Sequence, residues 1–276
     1  MAIAPKYWKL ARQYSEAAVA IIGLVVAWQV LCDVFNVPRW LLPSPRRIAI
    51  ETWEIRAILP THFLATLWAV LGGFALAIAA GIPLAIMVVY SPFLRRVIYP
   101  VLLTLQSVPK VAIAPLLLLW VGYGLQSNII VAATVAFFPI VINTATGLEP
   151  VDAELLELTR SLDAGTLRVF WRVRLPWALP YIFSSLKVAI TLAVIGAIVA
   201  EFIGADKGLG YLILTSSGAM KTSVMFGVLL ILSAFGIVSF YAVSWAERLL
   251  CPWYMPLDSD APAAERNESP AAPELC

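Results

Sequence analysis

The amino-acid sequence predicts an all-α, polytopic membrane protein, on three observations. Hydrophobic residues make up 61% of the 276 positions. Charged residues make up only 13%, where a soluble domain carries about 25%. The apolar residues also gather into runs of about 20, the length that crosses roughly 30 Å of hydrocarbon. A mean hydropathy of +0.88 follows from the same distribution.

Six runs qualify, at approximately 17 to 35, 62 to 90, 97 to 120, 127 to 147, 178 to 203 and 223 to 250. The first follows Lys6, Lys9 and Arg12 and has a signal-like outline. No small-x-small cleavage site follows it, and Leu31 is bulky where a lipoprotein signal needs a small residue before Cys32, so the run is expected to remain as a membrane helix. The loop after it, PRWLLPSPRRIAIETWEIRAILP, mixes Trp40, Trp53, prolines and paired charges, which suits a short helix lying at the interface. The second run has no charge from Ala57 to Leu94 and is long enough to tilt. The third contains Pro109 and Pro115, and the turn-like GYGLQSN parts it from the fourth. After the sixth, Asp258 to Cys276 is rich in Ala, Pro, Glu and Ser and reads as a disordered tail. The expected organisation is therefore an N-terminal segment 1–16, a membrane domain 17–250 and a tail 251–276.

Lys and Arg counts set the expected orientation. With the N-terminus inside, the cytoplasmic face holds Lys6, Lys9, Arg12, Arg95, Arg96, Arg160, Arg168, Arg172, Arg174 and Arg248. The outer face holds the smaller set Arg39, Arg46, Arg47, Arg56, Lys207 and Lys221, so both termini are expected in the cytoplasm.

Several chemistries find no support. A net charge of +2 is too small to imply nucleic-acid binding. Cys32, Cys251 and Cys276 form no CxxC pair, and a single His builds no metal cluster. No G-x-x-x-x-G-K-[ST] phosphate loop is present; GADKGLGYLI lacks its order and context. His62, at the start of the second run, reads as an interfacial residue rather than a catalyst.

The densest block of charge, EPVDAELLELTRSLDAGTLRVFWRVRLPWALP, lies between the fourth and fifth runs. Leu155, Leu158 and Leu162 form an apolar stripe at helical spacing, and Asp152, Glu154 and Glu157 load the first turn with charge that favours a helix N-terminus. Arg168, Arg172 and Arg174 then lead to Leu175 and Pro176 at the entry to the fifth run. Taken alone, this pattern fits a solvated amphipathic loop as well as a docking element.

The register of this block resembles the cytoplasmic loop of bacterial ABC-importer permeases, E-A-A-x3-G-x9-I-x-L-P. Glu157 stands at the E, Leu158 and Thr159 at the alanines, Asp163 at the glycine, Val173 at the isoleucine, and Leu175 and Pro176 at the closing L-P. The resemblance implies a coupling loop at 150–177 that docks on an ATP-binding subunit through Glu157, Leu158, Leu162 and Asp163 and returns to the membrane at Leu175 and Pro176. Asp163 departs from the glycine and tolerates a left-handed turn less readily. The segments LQSVPKVAIAPLLLLWVGYG, VAEFIG and KGLGYLI are similar to the permeases of nitrate, taurine, alkanesulfonate and bicarbonate importers and to those of thiamine- or riboflavin-precursor importers. That likeness implies a type I importer (MetI-like) permease fold in a bacterial inner membrane. It also implies two copies around one pathway, two ATPase subunits that bind ATP and Mg, and a periplasmic or lipid-anchored solute-binding protein. The chain itself is then no enzyme and holds no cofactor.

Ionisable groups inside apolar runs are costly and mark candidate pathway positions. Lys110 and Lys187 either line the pathway and favour an anionic or strongly polarised solute, or satisfy structural partners. Glu201 is the available opposite charge, as an ion-pair partner, gate residue or substrate contact. Asn143, like Gln106, Ser107 and Thr144, either faces the pathway or hydrogen-bonds a neighbouring helix. The competing class is a self-contained secondary carrier or intramembrane enzyme. The former would show inverted repeats and the latter a catalytic constellation, and neither is found.

Overall fold

The computed structural model describes residues 4–149, 159, 161 and 165–254, and among these every regular element is helical. In chain order they are α1 (Ala4–Val34), α2 (Pro45–Glu54), α3 (Leu59–Tyr90), α4 (Pro92–Gln106), α5 (Lys110–Val121), α6 (Leu125–Leu148), α7 (Thr166–Val169), a π-helical turn at Phe170–Arg174, α8 (Leu175–Gly204), α9 (Leu209–Gly218) and α10 (Thr222–Leu250). Four helical stretches are long and apolar enough to cross a membrane: α3, α6, α10 and the continuous stretch Leu167–Gly204 that contains α8. A fifth crossing exists if α4 and α5 count as one broken span, and α1 contributes the shorter apolar stretch Val19–Val34.

The third expected run is corrected by this break. Residues 97 to 120 do not form one rod; α4 and α5 meet at 102°. Pro109 has no N–H, and it drives Val108 away from helical geometry. The last turn of α4 tightens accordingly, with Ser107 and Val108 donating to the carbonyls of Thr104 and Leu105. Gly122 (φ 94°) and Gly124 (φ 128°) then turn the chain from α5 into α6 in left-handed conformations that favour glycine. The Ser127 hydroxyl secures the turn by donating to the Gly122 carbonyl.

α3, α6 and α8 form the centre, and small residues let them approach. Ala69, Gly73, Ala77, Gly81 and Ala85 are buried at every fourth position of α3. A Cβ on Gly73 would meet the Ala132 Cβ at 2.5 Å, and one on Gly81 the Ile140 side chain at 2.9 Å. From the other side a Cβ on Gly196 of α8 would meet the Ala132 Cα at 2.9 Å. Lipid-facing helices gain nothing from hydrophobic collapse, so close backbone contact and dispersion hold them together. The short helix expected between the first two runs is present as α2, with Pro45 in its first turn and Ile48 buried.

Candidate functional site

Two polar clusters sit at opposite ends of the α3–α6–α8 core. At the end bearing the charged segment, α3 stops at Tyr90 and α8 is entered through the π turn, in which the Leu175 N–H reaches back to the Phe170 carbonyl. Phe170 packs edge-on against Tyr90 at 6.0 Å, and the Arg174 guanidinium lies 5.3 Å from the Tyr90 ring centroid. The Ser91 hydroxyl caps the start of α4 by accepting from the Leu94 N–H. Arg95 pairs with Glu149 at 2.8 Å, joining the start of α4 to the end of α6. Four helix ends thus meet beside the charged segment. Leu167 and Trp171, one turn apart, are both exposed, and with Gly165, Arg168 and Arg172 they line an open cleft of about 460 Å³.

Leu175 and Pro176 are half-buried at the first positions of α8. Glu157, Leu158, Leu162 and Asp163 lie outside the described residues.

Lys187 is not the partner of Glu201. Its ammonium donates to Glu247 of α10 at 2.8 Å, a half-buried pair. The helical stretch Leu167–Gly204 has 38 residues, about 57 Å at ~1.5 Å per residue, well beyond the hydrocarbon thickness. Lys187 lies near the middle of this stretch, level with the last turns of α10, where Glu247 meets it.

Lys110 opens α5 at the elbow, beside the midpoint of α6. Its ammonium donates to the Gln106 carbonyl at 2.8 Å and lies 4.9 Å from the Phe138 ring centroid. Among the described residues, one carbonyl and one π face leave part of its donor capacity unused. Asn143, further along α6, is exposed.

Glu201 is 1% exposed at the far end of α8 and serves the N-terminus of α9. The Gly210 N–H donates to its Oε2 at 2.7 Å, and the Thr66 hydroxyl donates to its Oε1 at 2.8 Å. Thr66 Oγ1 in turn accepts the Leu209 N–H at 2.8 Å, and His62 Nδ1 accepts the Gly208 N–H at 3.1 Å. The His62 ring stacks on Tyr211 at 5.8 Å. Three successive amides that a helix start leaves without intrahelical partners thus find side-chain acceptors from α3 and α8. The carboxylate also faces the positive end of the α9 dipole. Any Cβ on Gly208 (φ 130°) would collide with that carboxylate, which explains the glycine. Sequence reading reached Glu201 and KGLGYLI but missed Thr66 and the role of His62, because helix positions 135 or more residues apart in the chain carry no mutual signal.

Comparison with known proteins gives these clusters their setting. A family model described as "Binding-protein-dependent transport system inner membrane component" matches residues 55–253. The chain is 35% identical over 246 residues to the formylaminopyrimidine transport permease protein of Halalkalibacterium halodurans, covering 89% of this chain and 98% of that one. It is 35% identical over 237 residues to the riboflavin transport system permease protein of Chloroflexus aurantiacus, covering 85% and 88%. In fold it resembles the inward-facing MetNI methionine ABC transporter, with a TM-score of 0.62 at 22% identity over 71% of this chain and 98% of that one. With most of its length matched and its helices laid out in the same fold, this chain belongs to the family of binding-protein-dependent transport system inner membrane components, the permease subunits of ABC importers.

Proposed function

We propose that the charged segment seats on an ATPase subunit and moves the core through the four helix ends that meet beside it. ATP is hydrolysed by partner subunits, and the solute arrives from a binding protein, as membership of the family entails. The observation that carries the coupling reading is the convergence of Tyr90, Phe170 and Arg174 with the Arg95–Glu149 pair. A push on the segment reaches α3, α4, α6 and α8 together. The exposed Leu167, Arg168, Trp171 and Arg172 extend the face available to the motor. In this reading the segment lies in the cytoplasm, with both termini on the same side, and 251–276 forms a cytoplasmic tail.

The permease acts as a homodimer in the inner membrane. One chain offers one coupling segment, and a motor of two ATPases presents two clefts, so a two-fold pair of chains is the simplest match. Mass determination of the purified complex is expected to give two copies of this chain per two ATPases. One copy with a different permease overturns the homodimer.

The pathway passes the elbow, where Lys110 and Asn143 remain available to a solute while Lys187 and Glu201 are engaged elsewhere. Two relatives at 35% identity are named for heterocyclic solutes, which favours a small, polarised heterocycle over a simple inorganic anion. Cells carrying the complex are expected to take up labelled formylaminopyrimidine or riboflavin in preference to taurine or nitrate. Lys110→Met should slow that uptake and Lys110→Arg should retain more of it. Unchanged uptake by Lys110→Met at equal membrane abundance would leave the lysine a carbonyl cap.

A further inference from the structure

We infer that Glu201, Thr66 and His62 form a latch that holds α9 closed across the end of the core opposite the coupling segment, and that opening this latch is a step of transport. The inference rests on the permease reading above and adds a positioning role for Glu201.

The latch draws on three elements. His62 and Thr66 come from α3, Glu201 from α8, and the Gly208, Leu209 and Gly210 amides from the start of α9. No two of these helices can separate here without stripping a buried polar group of its partner. Each stranded group bears the full cost of desolvation with no partner to offset it, so the arrangement is either made or broken rather than gradually stretched. Among the described residues, the partners of Glu201 are N–H and O–H donors rather than a cation, so the α9 dipole and two hydrogen bonds alone hold its charge. Such an attachment is strong when assembled and lost as a unit.

α9 is also built to swing. It is a ten-residue rod bounded by two left-handed residues, Gly208 (φ 130°) and Met220 (φ 57°). Its far end closes on itself through the Lys221 N–H and the Ser216 carbonyl, at 2.8 Å. Leu209, Leu212 and Ile213 are buried against the core while Leu214, Thr215 and Ser217 face outward. The polar tether to α3 and α8 lies wholly at the first turn. Gly208 and Gly210 permit it, since a side chain at Gly208 would occupy the space of the carboxylate.

Glu201→Gln keeps the volume and one acceptor oxygen but removes the charge. In complex with its ATPase, reconstituted in phospholipid vesicles, the wild type is expected to hydrolyse ATP faster when its binding protein loaded with formylaminopyrimidine or riboflavin is added. That stimulation tests the permease reading by itself. If the latch holds the resting state, Glu201→Gln should raise the unstimulated rate and lower the stimulated-to-basal ratio by about fivefold or more, with assembly and thermal midpoint retained. An unchanged ratio overturns the latch, and so does an equal loss of both rates with a lowered midpoint, which marks a purely structural group. A second arm uses the wild-type complex and needs no variant. The Gly208, Leu209 and Gly210 amides, held by side-chain acceptors in the latch, are expected to resist hydrogen exchange at rest and to exchange faster, by about tenfold or more, during turnover with ATP and the loaded binding protein. Equal protection of these amides at rest and during turnover shows that α9 never parts from α3 and α8, and overturns the proposal.

Discussion

Replacing Leu158 and Leu162 together with Asp is expected to abolish uptake while leaving the membrane helices inserted. Burying a Leu side chain contributes about 1.5–3 kcal/mol, so losing two anchors removes on the order of 3–6 kcal/mol from docking. At about 1.4 kcal/mol per factor of ten, that weakens association with the ATPase by at least a hundredfold, before the cost of pressing two carboxylates into an apolar cleft. The spans are untouched, since their packing is carried by α3, α6 and α8. Membrane abundance of the permease should therefore hold, co-purification of the ATPase should fall, and residual ATP hydrolysis should no longer drive uptake. Normal co-purification together with normal uptake would remove the docking role from this stripe. A cysteine at Ala164 supplies the control for the face on which docking occurs. It should react only with reagents that enter the cytoplasm, and labelling from outside intact cells would invert the orientation.

Lys187→Met is expected to destabilise the protein more than removal of any of its exposed charges. The ammonium and the Glu247 carboxylate are half-buried at 2.8 Å between α8 and α10. Removing one partner of such a pair strands the other, at a cost on the order of 3 kcal/mol. Removing both, as in Lys187→Met with Glu247→Gln, leaves nothing stranded and should recover more than half of the loss. The midpoint of thermal inactivation in detergent, measured for both singles and the double, separates the cases. A double no better than Lys187→Met alone would show that the two side chains do not act on each other, and a wild-type midpoint for Lys187→Met would show that the pair holds nothing.

Much of the protein was legible in the order of its residues because hydrocarbon imposes a one-dimensional rule. A backbone that crosses it must satisfy its own hydrogen bonds, so helices and their places follow from the lengths of apolar runs. The family was equally legible, since the E-A-A register, VAEFIG and KGLGYLI are local strings. The elbow was half visible. Pro109 marked the spot, yet the 102° turn depends on what α4 and α5 pack against on either side of it. The α3 stripe Ala69, Gly73, Ala77, Gly81 and Ala85 stood in the sequence as well, but small residues every fourth position become an interface only when a facing helix presents Ala132 and Ile140.

Pairings across the fold are what only the tertiary structure decided. Their places in apolar runs marked Lys110, Lys187 and Glu201 as costly charges and made Glu201 an available partner for either lysine. Lys187 and Glu201 lie 14 positions apart on one helix, about 21 Å at ~1.5 Å per residue, and each found its own partner elsewhere: Glu247 for the lysine, the first turn of α9 for the carboxylate. Apolar periodicity reports which residues leave water, since that preference belongs to each side chain alone. Which donor meets which acceptor depends on the positions of three helices at once, and that information exists only after they have packed.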